Sequence, residues 1–256
     1  MSTLAELRTW SELALQLPAA LRPRRCAAVT ETTPGGRWPV LLVHGYAGTD
    51  GVWTPLREAL GTAGFGRIVR IRYNSVLSDP TAVSTVIARA ALDALIDSGA
   101  PGVHLVGHSL GGLLVRHAVE HDDFLATRTR TAVTIATPHR GAPLARLAPG
   151  ACRRSLVAGQ AGGLTRATRR VQWLAYYSDG DRVVPCASAR LDDPSRRVSN
   201  VLVPSVGHLA ICRDARLIRS LVTALVACES AVSTPAFAAS RPPSQLATPA
   251  AHTTAA

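Results

Sequence analysis

Hydrophobic positions along this chain change period in a regular way. Residues 38–45 read WPVLLVHG, an unbroken apolar run closed by a glycine, as expected of a strand buried on both faces. Residues 67–73 (RIVRIRY) form a second, more alternating strand, and the stretch between them (VWTPLREALGTAGF) carries apolar residues at helical spacing. Asp79 and Pro80 then supply an N-cap and a first-turn proline, and Ala82, Val83, Val86, Ile87, Ala90, Ala91, Ala94 and Leu95 recur at threes and fours until Gly99 stops the run. Further strands are expected at 103–108 (VHLVGH), 131–137, 171–178 and 197–204, with helices at 113–121 and 209–227.

Strands that alternate with helices imply parallel pairing, because a parallel connection needs a crossover long enough to hold a helix. The expected architecture is therefore α/β, a mostly parallel central sheet with helices on both faces. In such sheets ligands bind outside the carboxyl ends of the strands. The polar residues considered next fall at such ends.

The first of them is in VGHSLGG, where Ser109 stands between Gly107 and Gly111 as a buried strand turns straight into a helix. A small polar residue adds nothing to a core there. A serine hydroxyl is a weak nucleophile near neutral pH, so its use requires exposure, a base in reach and donors for the oxyanion. A sharp strand-to-helix turn lifts the side chain above the sheet and aims the free N–H groups of the new helix at it. Ser109 is thus the candidate nucleophile, with a plain Gly-Ser turn as the alternative.

An acid and then a histidine follow at later strand ends, in the chain order that such a nucleophile requires. Asp181 lies in YYSDGDRVVP and His208 in PSVGHLAI. His208 is read as the general base, and Asp181 as the group that holds its tautomer and steadies its charge. Asp179, two residues away on the same loop, competes for the acid role; the Val-Val-Pro after Asp181 favours the latter. One oxyanion donor is expected at the N–H of Leu110, the other on the loop HGYAGTDGVW, with Tyr46 N–H preferred and Ala47 as the fallback. The Tyr46 ring is also readable as a lid over the core.

Taken together, VLLVHGYAG, VGHSLGG, ATPHRGAP, SDGDRVVP and VGHLAI resemble the alpha/beta-hydrolase superfamily and, within it, bacterial lipases and esterases of the triacylglycerol-lipase kind. The resemblance covers about residues 38 to 227. It implies cleavage of carboxylic esters, acyl lipids in particular, through an acyl-enzyme and without metal or organic cofactor. It carries Ser109, Asp181 and His208 as the triad and Tyr46 and Leu110 as oxyanion donors. An acyltransferase or thioesterase on the same fold, or an inactive binding protein, are the competing readings. The segment from Gly141 to Arg170, where larger lipases carry a lid, is short and rich in glycine and arginine, so only a small cap is expected.

Charge and composition adjust this picture at its edges. The formal net charge is +11, and every one of the 28 basic residues is arginine. No basic stripe with interleaved aromatics is visible, so no nucleic-acid partner is expected; the excess favours anionic membrane surfaces or acidic substrates. Without lysine a Walker-type phosphate loop is excluded. The five cysteines include no CxxC pair, which argues against zinc, and His117 and His121 read as a solvated helix face beside Glu120. His139, in TPHRG, is read either as lining the site or as structural.

Three segments follow: 1–37 as a helix and linker, 38–228 as the catalytic domain, and 229–256 as an Ala/Pro/Ser/Thr-rich tail too poor in large apolar residues to order itself. The basic cluster RPRRC comes after the apolar run LALQLPAAL rather than before it, the reverse of a secretory signal, so a cytoplasmic location is expected, with secretion as the alternative.

Overall fold

A computed structural model describes residues 26–48, 50–142 and 168–230. The helix expected before residue 26, most of the expected cap with Cys152, and the tail after Ser230 lie outside the described residues. Strands β1 (Ala27–Thr32), β2 (Val40–Val43), β3 (Arg67–Arg72), β4 (Val103–His108), β5 (Thr129–Ile135), β6 (Gln172–Tyr177) and β7 (Arg197–Leu202) form one sheet in the order β1-β3-β2-β4-β5-β6-β7. All neighbours pair parallel except β1, which is antiparallel to β3.

The helices are α1 (Thr54–Thr62), α2 (Pro80–Ser98), α3 (Leu110–His121), α4 (Asp123–Arg128), α5 (Cys186–Ala189) and α6 (Ala215–Ser230). They bury the two faces of the sheet separately, which is why the central strands read as continuous apolar runs. Leu41, Val43, Leu105 and Trp173 face one core with Val83 and Ile87 of α2 and Leu113 and Leu114 of α3. Val40, Leu42, Val106 and Tyr176 face the other, with Leu56 and Leu60 of α1 and Leu217, Leu221 and Leu225 of α6.

Helix α2 forms as its sequence predicts. Asp79 accepts hydrogen bonds from the N–H groups of Thr81 and Ala82, and Gly99 closes the helix in a left-handed conformation (φ 65°). The path β2-α1-β3 runs one way across the sheet, and β3-α2-β4 passes back over β2 to its other side. The strand order therefore reverses between β2 and β4, and the crevice such a reversal opens is where α/β sheets bind ligands.

Four expectations are corrected. Residues 27–32, read as linker, are the antiparallel edge strand β1. Its alternation was weak because an edge strand buries little, and polar pairs hold it: Glu31 bridges Arg70 at 2.7 Å and Arg57 at 2.6 Å. The domain also extends past residue 228. Glu229, assigned to the tail, accepts from Trp38 N–H (3.0 Å), pairs with Arg37 (3.0 Å) and meets His104 Nε2 (3.2 Å), fastening α6 beneath the sheet. The last helix is divided into a 3-10 turn at Ala210–Arg213 and α6, with Asp214 between them accepting from the N–H groups of Arg216 and Leu217. Finally, the outer part of α3 is not a wholly solvated face. Glu120 is buried with Arg116 (2.7 Å) and Arg196 (2.5 Å), and Arg196 lies over the Trp173 ring.

Candidate active site

At the carboxyl end of β4 the backbone of Ser109 adopts φ 53°, ψ −120°, a conformation costly for a residue with a Cβ. Surrounding contacts hold it there: Ser109 N–H donates to Ile135 O (2.8 Å), and Gly112 N–H donates to Ser109 O (3.0 Å). The flanking glycines allow the turn through close approach. A Cβ on Gly107 would lie 2.5 Å from the Gly111 backbone, and one on Gly111 would strike the Val43 carbonyl oxygen. Helix α3 starts at Leu110, three residues earlier than its apolar pattern indicates, which places the Leu110 N–H in its first turn.

Two later strand ends bring the other groups to this turn. His208 Nε2 is 3.0 Å from Ser109 Oγ, and His208 Nδ1 is 2.7 Å from Asp181 Oδ2, with all three residues buried. Because the carboxylate accepts, Nδ1 carries the proton and Nε2 presents its lone pair to the serine hydroxyl. Asp181 Oδ1 in turn accepts from the N–H groups of Val183 (2.8 Å) and Val184 (2.9 Å), so the Val-Val-Pro segment grips the acid. Burial raises the Asp181 pKa, but the His208 hydrogen bond and charge and the two backbone donors outweigh it, and the carboxyl sits below its ordinary value.

Asp179 points elsewhere. It accepts from Ser205 N–H (2.6 Å) and so links the loop after β6 to the loop that carries His208. Ser178, which sequence reasoning missed, reinforces that link by accepting from Val206 N–H (3.0 Å) and Gly180 N–H (3.1 Å). A serine just past a strand end is a common turn residue, so its neighbours gave no signal of this use.

The loop after β2 packs against Ser109. Its Gly45 lies so close that a Cβ there would be 3.0 Å from Ser109 Cβ. Tyr73, just past β3, fastens it by donating to His44 O (2.6 Å) and stacking on the His44 ring. Ala47, at φ 53°, donates its N–H to Ser75 Oγ (2.8 Å). That contact occupies the fallback oxyanion donor. The half-buried Tyr46 packs against Ala47 and Val76 and against the α2 side of the core.

His139 is buried with Nε2 3.1 Å from Thr134 Oγ1; burial, with Arg116 and Arg196 nearby, pushes its pKa down to about 3. His117 Nδ1 meets Ser84 Oγ (2.9 Å) and its ring stacks on His121. Among the described residues no group of three or more His, Cys, Asp or Glu is placed to hold a metal ion, and no helix is long and apolar enough to cross a membrane.

This sheet order, with a strained serine between β4 and its helix and a histidine and acid on the last two strand ends, defines the alpha/beta-hydrolase fold. Comparison with known proteins gives the same class. A mature-form lipase from Bacillus licheniformis superposes with a TM-score of 0.66 at 16% identity, over 77% of this chain and 97% of that one. Residues 80–147 match the family described as "PGAP1-like alpha/beta domain". The chain is also similar to triacylglycerol lipases from Burkholderia plantarii, 33% identical over 128 residues (46% of this chain), and from Pseudarthrobacter phenanthrenivorans, 33% identical over 124 residues (45% of this chain). Those alignments span 34% and 37% of the two lipases, so the chain matches about a third of the length of these curated relatives.

Proposed function

We propose that this protein is a serine hydrolase that cleaves carboxylic esters, with acyl lipids as its substrate class. The observation that carries the reading is the unbroken hydrogen-bonded chain Ser109 Oγ, His208 Nε2, His208 Nδ1, Asp181. In the first half-reaction Ser109 Oγ attacks the ester carbonyl carbon while its proton passes to His208 Nε2. The resulting imidazolium is stabilised by Asp181 and returns the proton to the departing alcohol. In the second, His208 takes a proton from water, the hydroxide attacks the acyl carbon, and the proton returns to Ser109 as the acid leaves. The N–H groups of Leu110 and Tyr46 serve both tetrahedral intermediates as oxyanion donors. The similarity to triacylglycerol lipases supports the substrate class.

Initial rates on p-nitrophenyl esters of increasing acyl length, with Ser109→Ala as control, test the proposal. Turnover that rises toward long chains and vanishes in the variant is the expected result. A peak at short chains replaces the lipid by small esters, and turnover that survives in Ser109→Ala rejects the mechanism.

A further inference from the structure

His208 is tied to the nucleophile's segment twice. One tie is the Ser109 hydroxyl; the other comes from the preceding residue, His108, whose Nε2 lies 3.0 Å from the His208 carbonyl oxygen. A carbonyl oxygen only accepts, so Nε2 of His108 carries the proton and donates it. We propose that His108 is a positioning residue that keeps His208 aimed at the acyl carbon after Ser109 has been acylated, so that its contribution falls mainly on deacylation. The proposal rests on the triad reading above.

Other hydrogen bonds anchor the loop that carries His208. Val203 N–H donates to Tyr177 O (2.7 Å), Ser205 N–H to Asp179 (2.6 Å), Val206 N–H to Ser178 Oγ (3.0 Å), and the His208 ring meets Asp181. All of these bind the loop to the end of β6 and the acid loop, and none reaches the serine. Among the described residues, the hydrogen bonds that set His208 against the nucleophile are those from Ser109 and His108.

Catalysis removes the first of the two. When Oγ bonds to the acyl carbon its proton has gone to His208 and then to the leaving alcohol, and an ester oxygen cannot donate back. The His108 tie uses the backbone carbonyl of His208 and is consumed at no step. His108 suits a fixed strut: it is the last residue of β4, in register with Ile135 of β5, and only 3% exposed. Burial, with His208 beside it, pushes its pKa down to about 3, so its ring stays neutral and its single donor stays directed. The His208 ring lies 4.9 Å away, tilted by 44°.

The test is stopped-flow release of nitrophenol from a p-nitrophenyl ester by the full chain, in wild type, His108→Leu, His108→Gln and His108→Asn. Leucine fills the space without a donor, glutamine places an amide N–H near the position of Nε2, and asparagine is too short to reach. In His108→Leu deacylation is expected to slow roughly tenfold more than acylation, the scale of a small misplacement of a catalytic group. A nitrophenol burst then grows toward one per active site, and acylated Ser109 accumulates in the mass spectrum. His108→Gln is expected to recover most of the deacylation rate.

Equal slowing of both half-reactions, no slowing of either, or a glutamine variant no better than leucine overturns the proposal. Should His108→Leu fail to fold, the Gln and Asn variants decide in the same way: a burst with Asn and none with Gln supports it, and equal behaviour rejects it. Failure of the triad reading itself shows separately, as wild-type protein that neither releases nitrophenol nor reacts with an active-serine phosphonate.

Discussion

Two aspartates separated by one glycine perform different tasks, and only one of them meets the histidine. Asp181 faces His208 and is gripped by two backbone donors, while Asp179 holds Ser205 N–H. Replacing Asp181 with asparagine turns an acceptor toward His208 into a group that favours the wrong tautomer. The expected loss in kcat is about 10⁴-fold, with little change in KM. Asp179→Asn keeps an oxygen acceptor, and its kcat is expected to stay within a few-fold of wild type. Steady-state kinetics on both variants checks the assignment, and equal losses would contradict it. That Ser109, the acid loop and His208 lie at strand ends was legible at this scale, because a strand-end turn is recorded in consecutive residues. Ser75 and Ser178 were not, because their hydroxyls act on backbone 28 residues away.

Among the elements, α2 was the most legible, since its cap, its apolar stripe and its closing glycine all lie within one continuous stretch. Its Asp79 cap is exposed and distant in sequence from every candidate site residue. Asp79→Ala is therefore expected to lower unfolding free energy by about 1 kcal/mol and leave the proposed ester hydrolysis unchanged. Urea unfolding beside an activity assay measures both; a cost near zero would mean that tertiary packing, not the cap, fixes the start of α2. The start of α3 was misjudged because its first residues include two glycines and carry no apolar period. What makes them helical is the room between Val43, Gly107 and Thr137 that only glycine fits. Strand β1 was missed for a related reason, since an exposed edge strand needs no apolar face and its ion pairs lie far away in the sequence.

At the scale of the whole molecule, burial lowers the pKa of several histidines, which makes stability dependent on pH. Burial pushes the pKa of His108 and His139 down to about 3 and lowers that of His104 as well. An unfolded histidine titrates near ~6.5, so below that value the unfolded chain binds protons that the folded chain refuses. Stability is then lost as pH falls from ~6.5 toward 3, by up to about 1.4 kcal/mol per pH unit for each such residue. Glu229 and Asp181 add to the loss at lower pH. Burial raises their pKa values, but the hydrogen bonds from His104, Trp38 and Arg37 to Glu229, and from His208, Val184 and Val183 to Asp181, leave both depressed. A depressed carboxylate contributes stability above its unfolded pKa and loses it as pH falls through the folded value. The urea midpoint is accordingly expected to decline already between pH 6.5 and 4.5 and more steeply below, and His139→Leu should reduce the early slope. A flat midpoint across that first interval would show that these rings are protonated in the folded state.

By itself the sequence determined the alternation of strands and helices, and it pointed to the carboxyl edge of the sheet and to Ser109, Asp181 and His208 as the candidate site. Those features depend on local period and on turn residues a few positions apart. Tertiary structure alone decided that Asp181 rather than Asp179 meets the histidine, that Ser75 takes the N–H of Ala47, that β1 and Glu229 belong to the domain, and that His108 reaches the His208 backbone. Each of these is a contact between segments distant in the chain, and such contacts exist only once a shared sheet brings the strand ends to one edge.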